Sequence, residues 1–191
     1  MAQQNVSLPG LHELQMTTNY TQRSFYVVST KKLTMLLLVT LGVYAFYWFY
    51  KNWQVAKVQN PKYAKSYPGL RALFAIIYSP SLFACIQKRA EQENIKLKLS
   101  AWHLAAASNL LIICSLVLFS LGSVYATLFG VLAALCAFLP ILKMQKVINL
   151  IEHDPTGWAN HKLTGLNWLC ILTGASYTSL FALATVMLFA S

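Results

Sequence analysis

Residues 33–62, LTMLLLVTLGVYAFYWFYKNWQVAKVQNPK, run from an oily segment through a run of aromatics into a series of lysines. Whether this stretch crosses a membrane, or dips in and returns on the same side, decides the topology of the whole chain. Its apolar part, residues 33–50, falls short of the roughly 20 residues that a helix needs to cross a hydrocarbon core. "VTLG" in its middle weakens the helix, glycine through its backbone freedom and Thr40 through its β-branching.

Four more apolar segments follow, at 72–87, 101–121, 123–142 and 165–190. The last three have the length of spanning helices and hold no Asp, Glu, Lys or Arg. The second is as short as the first and carries "YSPS", where a proline removes a backbone donor and crowds the preceding turn. Hydrophobic residues make up 57% of the chain and charged ones only 10%, with a mean hydropathy of +0.52, which excludes an ordinary soluble domain. The expected fold is therefore an all-α integral membrane protein: a polar N-terminal tail over 1–32 and one membrane domain over 33–191. That domain has three spanning helices plus two short broken segments, which either re-enter as hairpins or span to give five helices.

Lysine and arginine total 15 against 5 acidic residues. A net charge of +10 could serve nucleic acid, but these residues flank oily segments, where they meet anionic headgroups and fix orientation instead. The connection 51–71 carries Lys51, Lys57, Lys62, Lys65 and Arg71 with no acid among them. Five spans would put it outside, against the positive-inside rule. Hairpins turning at "VTLG" and "YSPS" keep every basic connection inside and both uncharged ends outside. Tyr44, Phe46, Tyr47, Trp48, Phe49, Tyr50 and Trp53 then form an exit limb at headgroup level. Lys51, Trp53, Lys57, Lys62, Lys65 and Arg71 become the interfacial strip. A broken helix at depth needs protein or water to satisfy its backbone, and neighbouring helices are the expected source.

"LGSV" joins the third and fourth segments as a tight helical hairpin, and Gly130, Ala133, Ala134 and Ala137 form a small-residue face for close helix packing. Pro140 sits near the end of the fourth segment, whose helix is expected to continue as "KMQKVINLIEH". Cys85, Cys114, Cys136 and Cys170 fall one per apolar segment without CxxC spacing, and read as small core hydrophobes. The first 24 residues lack the features of a cleavable signal peptide, and Asn5 and Asn19 match the glycosylation pattern.

The segment "VTLGVYAFYWFYKNW", with its "FYVVSTKKL" lead-in, resembles a group of uncharacterised bacterial inner-membrane proteins in which a short apolar segment ends in T-x-G-x-Y-x-x-Y-W-x-Y-K. The matching positions are Thr40, Gly42, Tyr44, Tyr47, Trp48, Tyr50 and Lys51. "LRALFA" and "NHKLTGLNW" match the group's layout only. The resemblance implies a small multi-pass protein of the inner membrane with no catalytic residue to carry over.

No serine elbow, HExxH, phosphate loop or dinucleotide fingerprint is present in the sequence. His153, Asp154 and His161 could bind zinc or shuttle protons, but their spacing fits no compact metal motif, and "DPTG" reads as a turn. His103 is expected to snorkel at an interface, and Ser108, Asn109, Ser176, Thr178 and Ser179 to bond between helices. Glu91 and Glu93 alternate with Lys88, Arg89, Lys96 and Lys98 in a solvated stretch. The expected role is non-enzymatic, without cofactor or metal: a scaffold, partner-binding or membrane-shaping protein that contacts anionic lipids and, through its own copies or other membrane proteins, assembles. The alternative is a small oligomeric transporter or channel, which the lack of ionisable residues within the spans disfavours for ion coupling. The expected location is a bacterial inner membrane, with the N-terminus cytoplasmic.

Overall fold

A computed structural model describes residues 25–190; the readings placed on Asn5, Asn19 and the first 24 residues lie outside them. Among the described residues there are eight α-helices, two short 3-10 turns and no strand. We number them α1 (Thr30–Val39), α2 (Val43–Gln59), α3 (Pro68–Leu73), α4 (Ala75–Gln92), α5 (Ala101–Ser120), α6 (Val124–Cys136), α7 (Phe138–Ile151) and α8 (Gly165–Ala190). The 3-10 turns are Pro61–Tyr63 and Trp158–Asn160.

Among the described residues three helices are long and apolar enough to cross a membrane: Ala101–Ser120, Val124–Ile151, which joins α6 to α7, and Gly165–Met187. At 1.5 Å per residue, the 20 residues of α5 cover about 30 Å, the thickness of a hydrocarbon core. Only 6% of the α8 span is buried inside the protein, and Leu169, Leu172, Leu180, Leu183 and Val186 all stand exposed. A face of that kind calls for an apolar surrounding.

The "VTLG" break is where the sequence puts it. Gly42 N–H donates to Leu37 O at 2.8 Å and Leu41 N–H to Leu38 O at 3.2 Å, the two bonds of a Schellman terminator, with Leu41 (φ 45°) in the left-handed position that glycine usually takes. Gly42 follows at φ 89°, and a Cβ there would meet the Phe138 ring at 2.8 Å. Thr40 bridges the break: its hydroxyl donates to Leu36 O at 2.7 Å in α1 and accepts from Tyr44 N–H at 3.0 Å in α2. The chain then folds back. Tyr26, ahead of α1, lies beside Tyr47 and Asn52 of α2, with ring centroids 6.1 Å apart and a 3.1 Å bond from Tyr26 N–H to Asn52 Oδ1.

The second break differs from the sequence reading. The chain does not turn at "YSPS": α4 runs unbroken through Pro80, and the interruption falls at Phe74, between α3 and α4. Pro80 cannot donate to the carbonyl of Ile76, and Asn109 of α5 supplies the missing donor, its Nδ2 lying 2.7 Å from Ile76 O. Asn109 Oδ1 accepts in turn from the Ser79 hydroxyl at 3.2 Å. One residue earlier, Ser108 Oγ donates at 2.9 Å to Ala137 O, at the joint between α6 and α7 that precedes Pro140. Adjacent side chains of α5 thus serve two proline-associated irregularities in neighbouring helices.

The core begins before residue 33, inside the stretch read as a polar tail. Phe25, Val27 and Val28 are buried, and Lys32 is only 5% exposed. Residues 26–29 belong to no helix or strand, so their backbone groups need partners from outside. Four carboxamides provide them. Asn52 Oδ1 takes Tyr26 N–H, Gln145 Nε2 donates to Tyr26 O at 3.2 Å, Asn160 Nδ2 to Val27 O at 3.0 Å, and Asn149 Nδ2 to Val28 O at 3.0 Å.

Candidate functional site

The breaks at Leu41–Gly42, Phe74 and Ala137 converge on one cavity of about 380 Å³. Gly42, Val43, Leu73, Ala75, Ala137 and Phe138 border it on the side of the breaks, and α5 contributes Ser108, Asn109 and Ser115 among apolar neighbours. Break one also touches mid-α8, where Thr178 Oγ1 donates to Val39 O at 3.0 Å and Gly174 faces Thr40. The cavity therefore sits at half the height of the long helices. No ionisable group lines it, and Ser108 and Asn109 are already committed to carbonyls. Its mostly apolar lining suits an apolar guest.

From that level α2 and α4 run toward one end of the bundle, which carries the basic residues. There Ala101 N–H donates to Gln87 Oε1, bringing the last turns of α4 to the start of α5. Lys32 Nζ reaches Asn160 Oδ1 and Lys162 O, both at 2.7 Å. Toward the opposite end Phe119, near the close of α5, and Phe181 meet edge to face, in stretches without a charged residue.

The expected interfacial strip divides. Lys62 and Lys65 are exposed, and Lys51 and Lys57 half-buried. Trp53, expected at headgroup level, is instead fully buried. Arg71 is turned onto aromatic rings: its guanidinium carbon lies 4.3 Å from the Trp53 centroid, 4.9 Å from Tyr78 and 5.1 Å from Tyr63, a cation-π cage that engages it within the protein. Burial pushes the Tyr63 phenol above its ordinary pKa, with the Arg71 charge opposing.

The aromatic limb needs the same correction. Tyr44, Trp48 and Phe49 are core residues, whereas Phe46, Tyr47 and Tyr50 face outward. Trp48 Nε1 donates to Gln145 Oε1 at 2.5 Å, and Phe49 stacks on Phe83 at 6.2 Å. The motif positions thus have local reasons. Thr40 and Gly42 build the break, Tyr44 and Trp48 lie on the buried face one turn apart, and Lys51 hangs between the Tyr26 and Tyr47 rings at 6.0 and 5.9 Å.

Of the small-residue face, Gly130 makes the closest approach: a Cβ there would stand 2.9 Å from the Phe119 ring and 3.3 Å from Ser115 O of α5. Ala134 and Ala137 line the central cavity, and Ala133 is half-buried. Ser108, Asn109 and Thr178 bond between helices, but Ser176 bonds back to Leu172 O within α8. All four cysteines are free thiols.

Asp154 organises a turn, its carboxylate accepting from Trp158 N–H at 2.8 Å and Ala159 N–H at 2.9 Å. His153 (φ 54°) occupies the left-handed position of the α7 terminator, and His161 stacks on Trp158 with centroids 4.0 Å apart. His103 pairs with Ser100 Oγ at 2.6 Å. Among the described residues no group of three His, Cys, Asp or Glu could hold a metal ion.

No family model, no curated protein and no solved structure matches this chain. The carboxamide set of Asn52, Gln145, Asn149 and Asn160 was not visible as a site in the sequence, although Gln145 and Asn149 stand one turn apart on an amphipathic helix, a spacing that brings two side chains together.

Proposed function

We propose that this is a non-enzymatic multi-pass membrane protein that shapes or organises the leaflet at its basic end. The observation that carries the proposal is the asymmetry of the bundle. Three helices have spanning length, whereas the α1–α2 and α3–α4 segments are broken at Leu41–Gly42 and Phe74, and α2 comes back beside the residues ahead of α1, Tyr26 N–H bonding Asn52 Oδ1. Inserted in a bilayer, the two broken segments act as half-depth hairpins, a wedge in one leaflet. Lys57, Lys62 and Lys65 then hold anionic headgroups, each worth about 1 kcal/mol near the surface. The positive-inside rule makes that leaflet cytoplasmic, together with the N-terminus, and the likeness of the first motif favours a bacterial inner membrane.

The test is energy transfer from tryptophan to dansyl-labelled phosphatidylglycerol in neutral vesicles. Substituting Lys57, Lys62 and Lys65 with glutamine should lower the enrichment of labelled lipid severalfold. Unchanged enrichment would remove the headgroup role.

One observation favours a second reading, a small oligomeric transporter or channel. Three helix breaks meeting on one mid-height cavity is the arrangement in which discontinuous helices build a substrate site. The apolar lining restricts the guest to an uncharged, hydrophobic one. Ligand-dependent flux through reconstituted protein would support this reading over the first.

A further inference from the structure

A second, smaller cavity of about 270 Å³ lies between the level of the first break and the basic end, bordered by the first turn of α1, the first half of α2, the 3-10 turn at Trp158–Asn160 and the start of α8. Unlike the central cavity, it is lined by polar groups: Lys32, Lys51, Tyr44, Tyr47, Asn160 and Asn167 surround it, and no carboxylate does. Lys32 is fixed there by Asn160 Oδ1 and Lys162 O, which occupy two of its three ammonium protons. Neither Lys32 nor Lys51 has a salt-bridge partner among the described residues, where the one ion pair joins Arg89 to Glu93. The Tyr44 hydroxyl is enclosed, the residue being 3% exposed, and it faces the Tyr26 hydroxyl and the Asn167 side chain without closing a short hydrogen bond to either. Polar groups thus converge on the cavity with hydrogen-bonding capacity to spare, beside two ammonium groups and no carboxylate.

We infer that this cavity is a binding site for a phosphate-bearing anion, of the size of a small phospholipid headgroup. Two ammonium groups supply the countercharge, and the hydroxyls of Tyr44 and Tyr47 supply donors to phosphate oxygens, which take charge-assisted bonds. The position fits the source: Thr164 and Asn167, bonded to each other at 3.0 Å, mark the first turn of α8, where a spanning helix leaves the headgroup region, and its positive dipole end points the same way. This assignment deepens the headgroup reading by adding one stoichiometric site to the diffuse attraction of Lys57, Lys62 and Lys65.

The experiment is calorimetric titration of the full-length protein in a neutral detergent with dioctanoyl phosphatidic acid and, separately, with inorganic phosphate. Saturable one-to-one binding is expected. Tyr44→Phe and Lys51→Gln should each weaken it at least fivefold, while Tyr44→Phe leaves the unliganded melting temperature within a few degrees of the parent, because the hydroxyl closes no short bond to the protein. Binding of the lipid alone identifies a headgroup site; competition by inorganic phosphate identifies a site open to the free anion; both uphold the assignment. No saturable binding of either probe, or binding unmoved by both substitutions, overturns it. The triple Lys57, Lys62, Lys65 variant should titrate like the parent. A failure of the vesicle test with this titration intact would therefore discard leaflet enrichment and keep the site.

Discussion

Asn109 and Pro80 should behave as a coupled pair. The carbonyl of Ile76 loses its usual i+4 donor because residue 80 is proline, and Asn109 Nδ2, 2.7 Å away, fills that place from α5. Replacing Asn109 with leucine strands the carbonyl and releases the Ser79 hydroxyl. Hydrogen bonds between helices in lipid contribute about 0.6 kcal/mol on average and about 1.7 at most. A short bond to an otherwise orphaned carbonyl belongs at the upper end, so Asn109→Leu should cost about 1–1.5 kcal/mol, close to a tenfold loss in the folding equilibrium. Pro80→Ala restores a backbone N–H to Ile76 O. In that background Asn109→Leu should cost only a few tenths, the remainder from Ser79, giving a coupling of about 1 kcal/mol. The assay is unfolding in mixed micelles with increasing dodecyl sulfate, followed by tryptophan fluorescence, over the four proteins of the cycle. Equal cost of Asn109→Leu with and without Pro80 would refute the argument that Asn109 stands in for the proline.

Two further substitutions test the scaffold around this level. Gly42→Ala should destabilise by about 1–2 kcal/mol from its left-handed backbone alone, and by more from the 2.8 Å approach to Phe138; adding Phe138→Ala should recover only the second part of the loss, measured in the same unfolding assay. Gln145→Leu leaves Trp48 Nε1, Tyr26 O and Asn149 Oδ1 short of partners in a fully buried place, at about 1–3 kcal/mol each. That variant should lose most of its stability, and pairing it with Trp48→Phe should restore part of it; a melting temperature within a few degrees of the parent would contradict the carboxamide clamp.

Much of this architecture is legible in the sequence, because length and composition decide it. The three long apolar segments became helices of spanning length, and the small residues of "VTLG" became a terminator followed by a fold-back. The break at "YSPS" was misplaced, since a proline's effect depends on whether a neighbour can serve the orphaned carbonyl, and Asn109 lies 33 residues along the chain from Ile76. The aromatic run has the residue types of an interfacial belt, but its period is that of a buried face. Tyr44, Trp48, Asn52 and Ala56 recur every fourth position, the mark of a buried helical stripe. Residues 25–29 looked like a tail because five residues carry no detectable periodicity, yet the aromatic and β-branched "FYVVS" favours extended backbone over helix. The phosphate-sized cavity draws on α1, α2, the Trp158–Asn160 turn and α8, so only the folded chain brings Lys32, Lys51 and Tyr44 together.

The central claim is that the two broken segments return to the side they came from. In a variant with Cys85, Cys114, Cys136 and Cys170 replaced, single cysteines are placed at Lys65 and at Ser123, in opposite exposed connections, and intact cells are treated with a membrane-impermeant thiol reagent. The account predicts that Ser123→Cys labels in intact cells and that Lys65→Cys labels only after the cells are opened. Labelling of Lys65→Cys in intact cells would contradict it, making both short segments spans of a five-helix bundle.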